Sequence, residues 1–242
     1  MAYGIVLLIF VWQILSFFYD EMILPSPKVT LITLFSILSN FDVWQHVYLT
    51  VFCIIMALIF GTLFGITLGI LASFSSWVNA LIKPVKDLLI AIPPVALVIL
   101  AIIWFGEGTL FTTIIVSALV FPLIYESTVN AIKAVDQDLI EMANVFQINA
   151  RTRLLDIYLP SIIFYILANF LLAAGLAVRM MILAEILGAT KGIGHLISMA
   201  QKYLITQDIF AWLIILITII LAFEGGLVYI IKKYLLRWQT QE

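Results

Sequence analysis

Arg179 sits inside the apolar run "LLAAGLAVRMMILAEIL", and a guanidinium there needs a reason. Left facing hydrocarbon, it would cost roughly 2.5 to 3.5 kcal/mol on an insertion scale, so it must face protein or water. Two readings stay open. Arg179 either braces a neighbouring helix or snorkels to the interface, or its planar fork of donors meets an anionic ligand. Asn169, also within an apolar run, either lines a pathway or hydrogen-bonds across helices. Glu126 and Glu224 lie toward the inner ends of their runs, where interfacial water solvates them. Pro93-Pro94 removes backbone donors from a helix, which predicts a kink against protein or a wet cavity. Gly61, Gly65 and Gly69 recur every four residues and predict a close helix contact, within the subunit in preference to a dimer interface.

Other chemistry lacks its residues. No Ser-His-Asp set, close carboxylate pair or metal-ligand cluster is spaced for a membrane enzyme, and His46 and His195 stand without neighbouring ligands. Cys53 is a lone cysteine in "TVFCIIMALIF", read as packing. The glycine-rich "GATKGIG" at 188–194 has neither the spacing nor the Ser or Thr of a phosphate-cradling loop, so no nucleotide is expected on this chain. A formal charge of -2 without clustered Lys or Arg removes the electrostatic case for nucleic acid.

The elements that carry these residues are membrane helices. The chain is 64% hydrophobic and 11% charged, with a mean hydropathy of +1.21, whereas soluble domains carry about 25% charged residues. A crossing takes about 20 mostly apolar residues. Six runs qualify, over about 2–19, 47–72, 84–105, 109–130, 161–185 and 208–231. The first has no preceding Lys or Arg and no small-residue cleavage site, and is read as a retained helix with Tyr3, Trp12, Phe17, Phe18 and Tyr19 at its flanks. An even number of spans places both termini on one side. With the N-terminus inside, the cytoplasmic segments hold Lys83, Lys86, Lys133, Arg151, Arg153, Lys232, Lys233 and Arg237, against Lys28, Lys191 and Lys202 outside, which favours N-in, C-in. The expected fold is an all-α polytopic membrane protein forming a single domain, 1–242. It comprises the first span and external connection (1–46), a membrane core (47–231) with a cytoplasmic loop at about 131–160, and a tail at 232–242. A short amphipathic helix is expected after Pro27, and 186–207 forms a second external connection, partly re-entrant.

The loop between the fourth and fifth spans is polar and mixed in charge. Val135, Leu139, Met142, Ala143 and Phe146 keep the spacing of one helix face. Asp138 and Glu141 have the spacing of a capping box, so a helix is expected to start there. Asn149 can cap a second helix carrying Leu154, Leu155, Tyr158 and Leu159 before Pro160 opens the next span. Such a pair either lies on the lipid surface or offers an apolar stripe to a cytoplasmic partner.

Glu141, Ala143, a turn at Gln147 and Leu159-Pro160 thirteen residues beyond it resemble the "EAA" loop of bacterial ATP-binding-cassette importer permeases. Met142 stands where that loop usually has Ala, and Gln147 where it has Gly. "LPSP" at 24–27, "IPPVALVILAIIWFGEG" at 92–108 and "ILAEILGATKGIGHLI" at 182–197 are similar to the branch that handles nitrate, sulfonates and taurine, without that branch's further Pro near Ile99. The resemblance implies a type I importer in the bacterial inner membrane. Two copies of this chain would form the pathway, two cytoplasmic ATPases would hold ATP and Mg, and an external binding protein would deliver a small solute. It assigns Leu139, Glu141, Met142, Ala143, Phe146, Gln147 and Asn149 to a coupling helix, and Glu185, within its "AE", to packing or gating. The competing reading is an ion-driven carrier, which predicts midplane acidic pairs and inverted repeats.

Overall fold

The computed structural model describes residues 2–234 and is helical throughout. The helices are α1 (Ala2–Leu15), α2 (Pro27–Ser39), α3 (Phe41–Phe74), α4 (Ser76–Ala91), α5 (Pro94–Phe105), α6 (Thr109–Lys133), α7 (Gln137–Val145), α8 (Ala150–Thr152), α9 (Leu159–Gly188), α10 (Ile193–Lys202) and α11 (Thr206–Tyr234). A π-helical stretch, Arg153–Tyr158, joins α8 to α9. Residues 235–242, including Arg237 of the expected tail, lie outside the described residues, as do the side chains of Tyr3, Leu154, Pro160, Lys232 and Lys233.

Among the described residues, four helical segments are long and apolar enough to cross a bilayer: Phe41–Phe74, Thr109–Lys133, Tyr165–Gly188 and Thr206–Gly226. The first expected span is shorter than 2–19: α1 ends at Leu15 after 14 residues. There the chain tightens, with Phe17 and Phe18 bonding back three residues, and a turn follows on the Asp20 carbonyl. The amphipathic helix after Pro27 is present as α2, capped by Ser26.

The third run breaks where the kink at Pro93-Pro94 is expected. It is not one helix over 84–105 but two, α4 and α5, bent by 108° where they meet. Ile92, pushed to an extended conformation by the proline after it, has ψ 128°, and Pro93 has ψ 134°. Neither proline can donate to the preceding turn, so the ladder ends at Ala91 and restarts at Pro94. Pro84, expected near the start of that span, instead lies inside α4, which begins on the Ser75 cap. The fifth run also starts differently, because helical backbone runs without a gap from Ala150 to Gly188. The π stretch ends at Tyr158, two residues before Pro160.

The core forms where α3, α5, α6 and α9 meet, around Ile54, Ala57, Val98, Phe111, Val116 and the alanines at 173, 174 and 177. The closest approach is α3 on α6. A Cβ built on Gly61 would lie 2.7 Å from Val120 Cγ1, on Gly65 2.7 Å from Ile124 Cβ, and on Gly69 2.7 Å from Thr128 Cβ. Both rows repeat every four residues, so the ridge of α6 drops into a groove that only hydrogen can line. The glycine stripe is thus filled by its own chain.

Candidate functional site

Three groups of side chains stand out, at three levels along the helices. The first lies at the end of α9 farthest from α7. Glu185 is 1% exposed. Thr50 Oγ1 of α3 donates to its Oε1 at 2.8 Å, and the Gly194 amide donates to its Oε2 at 2.8 Å. The Ile193 amide donates to Thr50 Oγ1 at 2.9 Å. Glu185 therefore sits at the first turn of α10, bonded directly to the Gly194 amide and through Thr50 to that of Ile193, where partial positive charge favours a carboxylate. The glycines are required by space: Gly192 has φ 112°, and a Cβ there would collide with the Glu185 carboxyl group. A Cβ on Gly194 would meet Glu185 Cβ at 2.5 Å. His46 accepts from the Gly192 amide through Nδ1 at 3.0 Å. Its ring stacks on His195, centroids 6.4 Å apart. The clasp ties α3, α9 and α10 together. The motif around Glu185 and the glycines of "GATKGIG" were legible, but Thr50 and the histidine stack were not, since nothing in local spacing links residues 46 and 50 to 185–195.

The second group lies within the spans. Arg179 Nη2 is 3.8 Å from Glu224 Oε1, with the Arg179 side chain 65% exposed and that of Glu224 38% exposed. Gly175 faces the same carboxylate: a Cβ there would be 2.8 Å from Glu224 Oε1. Glu224, expected from its position in the run to be solvated, is thus set against the middle of α9 and paired with Arg179. Glu126 is also paired, accepting from Lys86 Nζ at 2.6 Å, while Asp87 lies 3.0 Å from the same ammonium. Opposite charges forty residues apart carry no periodic signal, so the pairing was invisible in sequence. Asn169 donates to the Tyr165 carbonyl of its own helix at 3.0 Å rather than across to another. Among the described residues, no group of three or more His, Cys, Asp or Glu side chains is placed to hold a metal ion.

The third group is α7 and its flanks. Asp136 is the cap, accepting from the Asp138 amide at 3.0 Å, so the helix starts two residues before the Asp138 capping box expected from sequence. At the other end the Ile148 amide bonds the Ala143 carbonyl and the Gln147 amide bonds the Asn144 carbonyl. That double closure requires a left-handed residue, and Gln147 supplies it at φ 50°. Asn149 caps the next helix, its Oδ1 accepting from the Thr152 amide at 2.8 Å. The apolar face expected over Val135, Leu139, Met142, Ala143 and Phe146 divides. Val135 and Ala143 are buried against this chain, whereas Leu139, Met142 and Phe146 are exposed, Phe146 to 73%. Glu141 is exposed beside them.

Residues 61–241 match the family described as binding-protein-dependent transport system inner membrane component, three quarters of the chain, and the protein belongs to that family. It is the membrane permease subunit of a type I ATP-binding-cassette importer, in the branch that includes the sulfonate and taurine permeases, and a multi-pass protein of the plasma membrane. Permeases of this family are transport components rather than enzymes, and an ion-driven carrier is not favoured. The chain is 25% identical to an aliphatic sulfonates transport permease protein of Bacillus subtilis, covering 96% of this chain and 85% of that one. It is 32% identical to a riboflavin transport system permease protein of Chloroflexus aurantiacus, covering 92% and 82%. It is 27% identical to the taurine transport system permease protein of Escherichia coli, covering 86% and 78%. Among solved structures, an inward facing methionine ABC transporter superposes with a TM-score of 0.64 at 16% identity, over 78% of this chain and 94% of that one.

Proposed function

We propose that α7 is the coupling helix of this permease, seated on a separate cytoplasmic ATPase, within a homodimer whose subunits each have six spans with both termini inside. Two ATPases carry the ATP and Mg, and an external binding protein delivers a small solute to the pathway. The observation that carries this reading is a helix closed at both ends yet unburied on one apolar face. Asp136 and the Gln147 turn hold its backbone in shape before any partner arrives. Leu139, Met142 and Phe146 then present a preformed ridge, with Glu141 as a polar rim. The opposing lipid-surface reading lacks the basic face such helices use, because α7 carries Asp138 and Glu141 and no Lys or Arg.

Transport follows by alternating access. Closure of the nucleotide-loaded motors draws the two coupling helices together, and the state they stabilise exposes the pathway to the outside. Motion passes from α7 to α9 through the π stretch at Arg153–Tyr158 and from α7 to α6 through residues 134–136. In the importer assembled with its ATPase and binding protein, Glu141→Lys combined with Phe146→Ala abolishes solute-stimulated ATP hydrolysis while the thermal unfolding of the permease is unchanged. Full stimulation in that double variant contradicts the assignment.

A further inference from the structure

The charge pair in the middle of α9 is built loosely for a structural brace. Arg179 lies nine residues before Gly188, inside the apolar span Tyr165–Gly188. Within such a span a guanidinium exposed to 65% cannot face lipid, so this side of α9 faces water or protein in the working importer. Its partner touches it at 3.8 Å, well outside the 2.7–2.9 Å of a charge-assisted hydrogen bond, through one nitrogen and one oxygen. Among the described residues no other side chain or carbonyl accepts from Arg179. Most of its donors are therefore open, pointing where the helix face is uncovered. Glu224, by contrast, is held back. Its Oε1 rests against the bare backbone of Gly175, a place that any Cβ would deny it.

We propose that Arg179 is the anion-binding residue of the translocation pathway, for a solute carrying a carboxylate or sulfonate group, and that Glu224 is its resident counter-ion, displaced when the solute anion arrives. The proposal rests on the importer reading and names the class of solute that reading leaves open. A resident carboxylate keeps the empty pathway neutral within the apolar span, so the guanidinium carries no unpaired charge between cycles. The Gly175 recess keeps that carboxylate near but not bonded, so an incoming oxyanion can form the bidentate contact that Glu224 does not make. Release is helped by the same carboxylate, which reclaims the guanidinium once the pathway opens inward.

The test uses the full chain in nanodiscs and reads the thermal unfolding midpoint with ethanesulfonate, with neutral ethanesulfonamide of the same shape, and with chloride at equal ionic strength. Ethanesulfonate raises the midpoint of the wild type, and ethanesulfonamide and chloride do not. Arg179→Gln raises the half-saturating ethanesulfonate concentration about tenfold or more, as expected for losing hydrogen bonds to a charged partner. Arg179→Lys, which keeps the charge and loses the fork, falls between. Glu224→Gln lowers the half-saturating concentration, because the internal competitor is gone. That opposite sign is what a purely structural salt bridge cannot produce. The proposal is overturned by equal ethanesulfonate responses in wild type and Arg179→Gln, by no response in the wild type, or by loss of response in both Glu224→Gln and Arg179→Gln. A change of oligomeric state in Arg179→Gln, seen by light scattering, would instead make the residue an interface contact and also overturn it. Should Arg179→Gln fail to fold, Arg179→Lys and Glu224→Gln still decide by their opposite directions. The α7 variants retain the anion response, since binding needs no motor, so failure here and failure of the coupling assignment are separate results.

Discussion

The clasp around Glu185 and the loop around α7 are built on opposite terms. At the clasp the buried carboxylate and hydroxyl meet partners from the same chain: the carboxylate takes Thr50 and Gly194, and Thr50 in turn takes Ile193. At α7 the backbone is satisfied at both ends while the apolar side chains are left out, Phe146 foremost. A closed polar network in a water-poor setting holds one arrangement, because each lost partner leaves a desolvated group behind. A capped helix with an uncovered apolar face is complete only in its backbone. The first region is finished by folding and the second by assembly.

Substitutions at the two regions should differ accordingly. The largest effect is expected from Glu185→Ala. It strips partners from the Thr50 hydroxyl and the Gly194 amide, at about 1 to 3 kcal/mol for each buried group left unsatisfied. Purified in detergent, this variant should show a clearly lowered unfolding midpoint, and an unchanged midpoint would mean the network contributes nothing. Asp136→Ala should cost about 0.5 to 2 kcal/mol as a lost helix cap. The loss belongs to α7 alone, so hydrogen exchange should speed up at the α7 amides while the global midpoint holds; a global drop would show that α7 is part of the folded core. Gln147→Gly is expected to have the smallest effect and the opposite sign. Glycine relieves a left-handed residue worth about 1 kcal/mol, and α7 exchange should slow by up to about fivefold. Faster exchange would show that the Gln147 side chain holds the turn.

The two regions were also unequally legible. The α7 loop is local: its caps, its turn and its helix face fall within about twenty residues, and periodicity with turn chemistry reached nearly all of it. The miss was small, because Asp136 and Asp138 are both able caps and only the backbone decides between them. Which members of the stripe face inward was not readable, since Ala143 and Leu139 have the same helical phase and differ only in what lies beside them. The break at Pro93-Pro94 was readable as a kink, but 108° is set by what α4 and α5 pack against.

Composition alone determined that this chain belongs in a bilayer, because no water-soluble arrangement can cover so many apolar side chains with so few charged ones. Local spacing determined the glycine groove, the proline break and the capped loop helix, because backbone geometry ties residues three and four apart to one face. Only the tertiary structure decided which polar groups meet: Lys86 with Glu126, Arg179 with Glu224, and Thr50 with Glu185 are separated by 40, 45 and 135 residues. Electrostatic and hydrogen-bond partners are chosen by distance in space, which sequence separation does not encode.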